Sequence, residues 1–218
     1  MKTNPVIVTL AISCTIALLT ACSDPADKVH KSSAADPQKS SAASSKTGKQ
    51  YVIRAESKIG FVGSKVTGSH NGGFKNFAGS IHVDAGKIVG GPEVKINMAS
   101  TWADNGRLEG HLKTPDFFDV ANFPTSTFTV TSIENSGNEP KITGNLNLHG
   151  VTKSVSFPAN IQVAADAVTV KAEFAINRKD FNINFRGMPN DLIRDNVVIK
   201  LDLKATPGAP KTEDQLTN

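Results

Sequence analysis

Between Tyr51 and Thr206 apolar and polar residues alternate with a period of two over most of the chain, and one stretch, Asn105 to Phe128, breaks the alternation. Successive side chains of an extended strand point to opposite faces, so such a pattern is satisfied by strands that bury one face and wet the other. Ile59, Phe61 and Gly63 share a face, as do Phe77, Gly79, Ile81 and Val83, then Val94, Ile96 and Met98. After the break the pattern resumes at Phe128 and Val130, then Ile142, Gly144, Leu146 and Leu148. Val155, Phe157 and Ile161 follow, then Val168 to Ile176, and last Val197, Ile199, Leu201 and Leu203. His149-Gly150 reads as a tight reversal, and Gly68, Gly72 and Gly73 read as a turn or bulge. Many short strands with one interruption predict a single all-β sandwich or barrel.

The interruption has its own logic. Arg107 and His111 are four apart, as are Leu108 and Leu112, which places each pair on one face of a short helix. Pro115 ends that helix. Phe117, Phe118 and Phe123 then form a dense apolar knot, so the stretch predicts a helical plug set on the β-structure. Arg107, His111, Phe117, Phe118 and Phe123 are its expected structural residues, with His111 as a polar anchor and Asp116 and Asp119 capping or bonding local backbone amides.

The chain has 218 residues, 20% of them charged, and a formal charge of +4. The alternating region is nearly neutral, with 17 basic and 15 acidic residues over 50–206, and no basic cluster interleaved with aromatics appears in it, which argues against nucleic acid as a partner. Both cysteines, Cys14 and Cys22, precede the alternating region and cannot staple it. No close His/Cys pair has the spacing of a zinc site, and neither a G-x-S-x-G elbow nor a free thiol offers a nucleophile. Catalytic residues and metal ligands are accordingly expected to be none.

The first 21 residues carry Lys2 and an apolar run from Val6 to Leu19, a signal-peptide pattern too short to span a bilayer. Leu19-Thr20-Ala21-Cys22 resembles the lipobox of bacterial lipoproteins, in which the cysteine is acylated with fatty chains such as palmitate. Cys22 is thus the expected lipidation site, and Ser23 after it favours the periplasmic side of the outer membrane. Residues 22–49, rich in Ser, Ala and Lys, are expected to be a flexible tether. Residues 50–206 form the expected folded domain and 207–218 a polar tail.

Three segments carry a further resemblance: HLKTPDFFDVANFPTSTF (111–128), ITGNLNLHGVTKSVSF (142–157) and INRKDFNINF (176–185) resemble, in order and spacing, the signature segments of the YceI-like lipid-binding family. The resemblance covers about Tyr51 to Thr206. It implies an antiparallel, lipocalin-like β-barrel of about eight strands with a short helical insertion, and a long isoprenoid or fatty chain as the bound molecule in place of a cofactor. It departs from the family at Glu56, where many members carry His, and at Asn182 and Phe185, where Gly and Trp are common. The large apolar residues of the inward faces, Phe61, Phe77, Ile81, Phe128, Leu148, Phe157 and Phe174, are the expected ligand contacts, with small neighbours such as Gly79, Gly144 and Ala172 leaving space. Expected partners are the lipid ligand, a membrane reached through the N-terminal lipid anchor, and a second copy in a homodimer. A non-catalytic lipid carrier of the bacterial envelope leads this reading; an envelope stress or interaction module with a packed barrel, and an enzyme with a spatially assembled site, stay open beside it.

Overall fold

The computed structural model describes residues 23–39, 48–135 and 139–209. Cys14, Cys22 and the tail from Pro210 onward lie outside the described residues, so the signal-peptide, lipidation and tail expectations are not addressed by it. In chain order the strands are β1 (His30–Lys31), β2 (Lys49–Ile53), β3 (Lys58–Lys65), β4 (Gly68–Phe74), β5 (Phe77–Asp84), β6 (Lys87–Asn97) and β7 (Thr101–Ala103). Helix α1 (Gly106–Leu112) follows, then β8 (Thr125–Glu134), β9 (Lys141–Leu148), β10 (Val151–Pro158), β11 (Asn160–Val163) and β12 (Val168–Asn177). β13 (Gly187–Met188) and β14 (Asp191–Leu192) make a small hairpin before the long last strand, β15 (Asn196–Pro207).

β15 is the hub. One edge pairs with β12 from Asn196 to Ala205, while the other edge pairs first with β3 and then with β2. From β2 the ladder runs through β5, β6, β8 and β9 to β10, and from β3 it runs through β4 to β7. All these pairings are antiparallel. His149 (φ 51°) and Gly150 (φ 74°) turn β9 into β10 with two residues of positive φ, the geometry that matches the twist of a two-residue hairpin. The upper end of the sheet is the end at which β3 and β12 finish and β15 begins.

Two expectations are corrected here. The sheet does not close into a barrel of about eight strands: it counts thirteen strands, and β10 and β12 are not paired with each other. β10 ends at Pro158, which has no N–H to give, and only its continuation β11 reaches β12. Residues 68–74 are a strand, although their glycines suggested a turn, because neighbouring rings occupy the space a side chain would need. A Cβ at Gly72 would lie 2.3 Å from the Phe61 ring, and one at Gly73 would lie 2.9 Å from Trp102 Nε1.

The third correction concerns the expected flexible tether, whose residues 23–39 are folded onto the sheet. The Asp24 side chain accepts from the Ala26 amide and opens a 3-10 turn, Pro25–Lys28, that buries Ala26 against Val62, Ala175 and Val198. The chain then pairs with β12 in parallel as β1, and the Ser32 amide donates to the Ala175 carbonyl (2.8 Å). Across the seam, Ala35 and Ser154 exchange two backbone bonds of 2.9 Å, and the Ser156 amide donates to Ser32 Oγ (3.0 Å). Gln38 and the Asn145 side chain add a reciprocal pair. The physical reason is the open edge: β10 and β12 expose backbone donors and acceptors that need partners, and a polar segment with little to bury can still supply them.

This makes Ala26 the wedge that holds the segment. Ala26→Asp should place a carboxylate between three apolar side chains and release it. Amide hydrogen exchange is expected to accelerate at Ser32, Ala35 and Ser154 while core amides of β9 and β15 stay protected; unchanged protection at those three would contradict the assignment.

Candidate functional site

The inward faces of the strands do not meet. They enclose a cavity of about 390 Å³, within the range of small-molecule sites. Its apolar wall includes Ile59, Val94, Leu146, Val170, Ile199 and Leu203. Between Val197 and Leu203, both on its wall, β15 advances six residues, roughly 20 Å at the rise of a strand, so the space is elongated along the strands.

Of the expected ligand contacts, Phe61, Ile81, Phe128, Leu148, Phe157 and Phe174 border the cavity. Phe157 and Phe174 stack on each other at its wall with centroids 3.9 Å apart and planes within 2°, and Phe128 lies 5.7 Å from Phe157. Phe77 does not border it: opposite Ile96 on β6, it is packed against the core cluster instead. The small residues behave differently from expectation. A Cβ at Gly144 would lie 2.4 Å from the Phe128 ring, so that ring already covers the glycine. A Cβ at Gly79 would meet the Glu93 carbonyl at 2.6 Å and Ile53 at 2.8 Å. Ala172 packs against the core and is not on the cavity wall. Gly63 is on the wall, and nothing lies within 4 Å of the Cβ it lacks.

The interruption after β7 covers the upper end. Asn105 caps α1 by accepting from the Leu108 amide, and Leu108, Leu112, Phe117 and Phe118 turn toward the cavity. Phe118 meets Phe61 and Phe74 at about 6 Å, Phe117 meets Phe185, and Phe123 lies against His149 and over Gly150. His111 Nε2 bonds Asp116 Oδ2 at 2.7 Å while its ring meets Phe117 and Phe185 edge-on, so it ties the helix to the turn that follows. Asp119 accepts from Asn122 Nδ2, so both carboxylates bond side chains in place of the backbone amides expected. Arg107 is exposed and takes no part in this packing, a correction explained by its place on the outer side of a one-sided helix. The departures from the family motif are accommodated locally: Phe185 fills the His111–Phe117 corner, and Asn182 has the left-handed conformation (φ 59°) that Gly would also serve.

Polar groups reach the cavity chiefly at the same end, through Ser64, Lys65, His70 and Arg178. The Lys65 ammonium binds the Asp191 carboxylate; this bond holds Asp191 below the ordinary carboxylate range, against an opposing effect of burial. The Asn71 amide, with His70 adding, does the same for Asp104. Both contacts are therefore present above the usual Asp pKa and are lost as the pH falls through the depressed values. Arg178 is the residue that periodicity does not reveal. Its side chain is buried and donates to the carbonyls of Ile183 (2.6 Å), Arg194 (3.1 Å) and Ile193 (3.3 Å), and burial lowers its pKa while Asp195 at 3.6 Å opposes the shift. The one signal in the sequence was an arginine directly after an apolar strand. Among the described residues no group of three His, Cys, Asp or Glu stands close enough to hold a metal ion.

Arg178 thus fixes the segment that roofs the cavity beside α1. Arg178→Met should leave three carbonyls without their donor and cost roughly 2–4 kcal/mol, read as a lower urea midpoint at unchanged slope. A midpoint within experimental scatter of the parent would contradict this role.

Comparison with known proteins agrees with this architecture. The chain is 36% identical over 149 residues to Protein YceI of Salmonella newport (strain SL254), an alignment covering 62% of this chain and 76% of that protein. It is 38% identical over 123 residues to Protein YceI of Salmonella arizonae, covering 51% of this chain and 62% of that protein. Burkholderia cenocepacia BcnA superposes with a TM-score of 0.63 at 26% identity, over 70% of this chain and 98% of BcnA. A polyisoprenoid binding domain from Saccharophagus degradans shares the fold, with a TM-score of 0.60 at 19% identity over 74% of this chain and all of that domain. Residues 51–205 match the YceI-like domain, and the chain belongs to that family.

Proposed function

We propose that this protein binds a long apolar lipid, an isoprenoid or fatty chain, inside its sheet and carries it in the bacterial envelope without chemistry of its own. The observation that supports this most is the cavity: an elongated, almost wholly apolar space whose polar groups gather at one end. A space of that kind would favour a hydrocarbon chain over water, because water in it would lack hydrogen-bond partners. Ser64, Lys65 and His70 stand where a polar head group would lie. The polyisoprenoid-binding description of the Saccharophagus degradans domain is in line with the same ligand class. Selection would be by length and girth, since an apolar tube offers few groups that read a head.

The reading includes an anchor. Acylation of Cys22 would hold the protein on the periplasmic side of the outer membrane, with each buried CH₂ worth about 0.8 kcal/mol. Cys22→Ala should shift the protein from the membrane fraction to the soluble one; retention of all of it in the membrane would refute the anchor.

For the ligand, the protein as purified from bacterial membranes should yield about one long-chain lipid per chain on organic extraction and mass spectrometry. Gly63→Leu adds a side chain where the cavity is open, at a cost no larger than the ~1–3 kcal/mol of overpacking, and should lower the yield or shorten the chain. A folded parent protein that carries no lipid, and takes up none from a long-chain series, would overturn the reading.

A further inference from the structure

Among the described residues large apolar side chains are rarely exposed, and the three that are lie together. Val66, Met188 and Leu192 are 55%, 66% and 49% exposed. Val66 is at the tip of the β3–β4 hairpin, and Met188 and Leu192 are on the β13–β14 hairpin. The two hairpins are joined: the Val66 amide donates to the Leu192 carbonyl, Lys65 bridges Ile193, and Thr67 donates through its hydroxyl to Asp191 at 2.8 Å. Each backbone is thus fixed, and the apolar side chains project from it to solvent. Nothing in the packing of the sheet or plug accounts for them.

We propose that this paired-hairpin tip docks on a lipid bilayer, with Val66, Met188 and Leu192 entering the boundary between head groups and acyl chains. Three observations select a bilayer over a second protein chain. First, Asp24, two residues after Cys22, lies beside it: the Ser64 hydroxyl donates to Asp24 Oδ1 at 3.2 Å and Arg194 stands 3.7 Å from Asp24 Oδ2, and Ser64 and Arg194 are each two residues from a member of the patch. Because residues 23–39 are folded onto the sheet, an acyl anchor on Cys22 would leave no slack and would bring this end to the membrane. Second, Lys65, His70 and Ile193, which border the upper end of the cavity, belong to or adjoin the same hairpins. Third, three side chains on two tips are far short of the roughly 800 Å² that each partner of a stable protein interface buries, whereas shallow insertion in a bilayer needs only a few apolar groups. Arg186, exposed on the segment leading into β13, adds a cation at the level of lipid phosphates.

The docking surface is independent of what the cavity holds, and its test can be kept separate. The full chain is reconstituted with vesicles of phosphatidylethanolamine and phosphatidylglycerol carrying brominated acyl chains, and tryptophan emission is followed for Leu192→Trp, Met188→Trp and, as a control at the opposite end, Asp84→Trp. Against the parent protein, whose single tryptophan is Trp102, the two patch reporters should shift to the blue and lose about half their added emission, with little change at the control, as expected for shallow insertion. Combining Val66→Glu with Met188→Glu should abolish quenching of the Leu192→Trp reporter while the lipid extracted from the cavity stays the same. Quenching equal at both ends, or absent at the patch, would overturn the proposal. So would a dimer in the parent protein that the two Glu substitutions dissolve, since the patch would then cover a second copy.

Discussion

The structure depends on an inward face that cannot be filled by its own side chains. A twisted sheet of long strands buries its concave side only as far as those side chains reach, and here they leave a space of about 390 Å³. Where two strands do come close, the contact is made by a phenyl ring laid over a glycine of the next strand: Phe61 over Gly72 and Phe128 over Gly144. These pairs let the sheet bend sharply while keeping aromatic surface inside. Gly72 and Gly144 thus serve curvature, while Gly63 alone of the glycines expected to leave space stays open on the cavity wall.

Such a shape has two weak places, and the chain covers each with a segment that is not part of the regular alternation. The upper end is capped by α1 and the Phe117–Phe118 pair, held by the His111–Asp116 bond, and by the 178–195 segment gathered around the buried Arg178 guanidinium. The seam between β10 and β12 is crossed by residues 30–38, which take hydrogen bonds from both sides. Cap and seam segment come from distant parts of the sequence but meet at the same end, where Ser64 and Arg194 hold Asp24. The polar side chains that reach the cavity are concentrated there as well, so one end of an otherwise apolar space is chemically marked.

Much of this was legible in the sequence because strand alternation is a local property. β3, β5, β8, β9, β12 and β15 follow from it, as do the His149–Gly150 turn and the short helix before Pro115. What was not legible depends on partners far away in the chain. Gly68 to Gly73 read as a turn because their strand is completed by rings of Phe61 and Trp102. Residues 23–39 read as a tether because Ser, Ala and Lys bury little; their place is set by backbone bonds to an open edge, and only Ala26 is fully enclosed. Arg178 follows no hydrophobic period, although it lies in the 176–185 segment, since its value lies in three carbonyls supplied by a loop. Of the expected contacts, Phe77 shared the right face yet missed the cavity, which shows that facing inward and bordering the open space are different properties.

The central claim is that a hydrocarbon chain occupies this space along its length. Nuclear Overhauser contacts between a bound, protonated long-chain fatty acid and methyl-labelled, otherwise deuterated protein test it directly. The account predicts contacts that run from Val197 and Ile199 near the cap through Leu146 to Ile133 and Leu203 at the far end, all of them on the cavity wall. Contacts confined to outward-facing methyls such as Val62 and Val198, or none at saturating ligand, would contradict it.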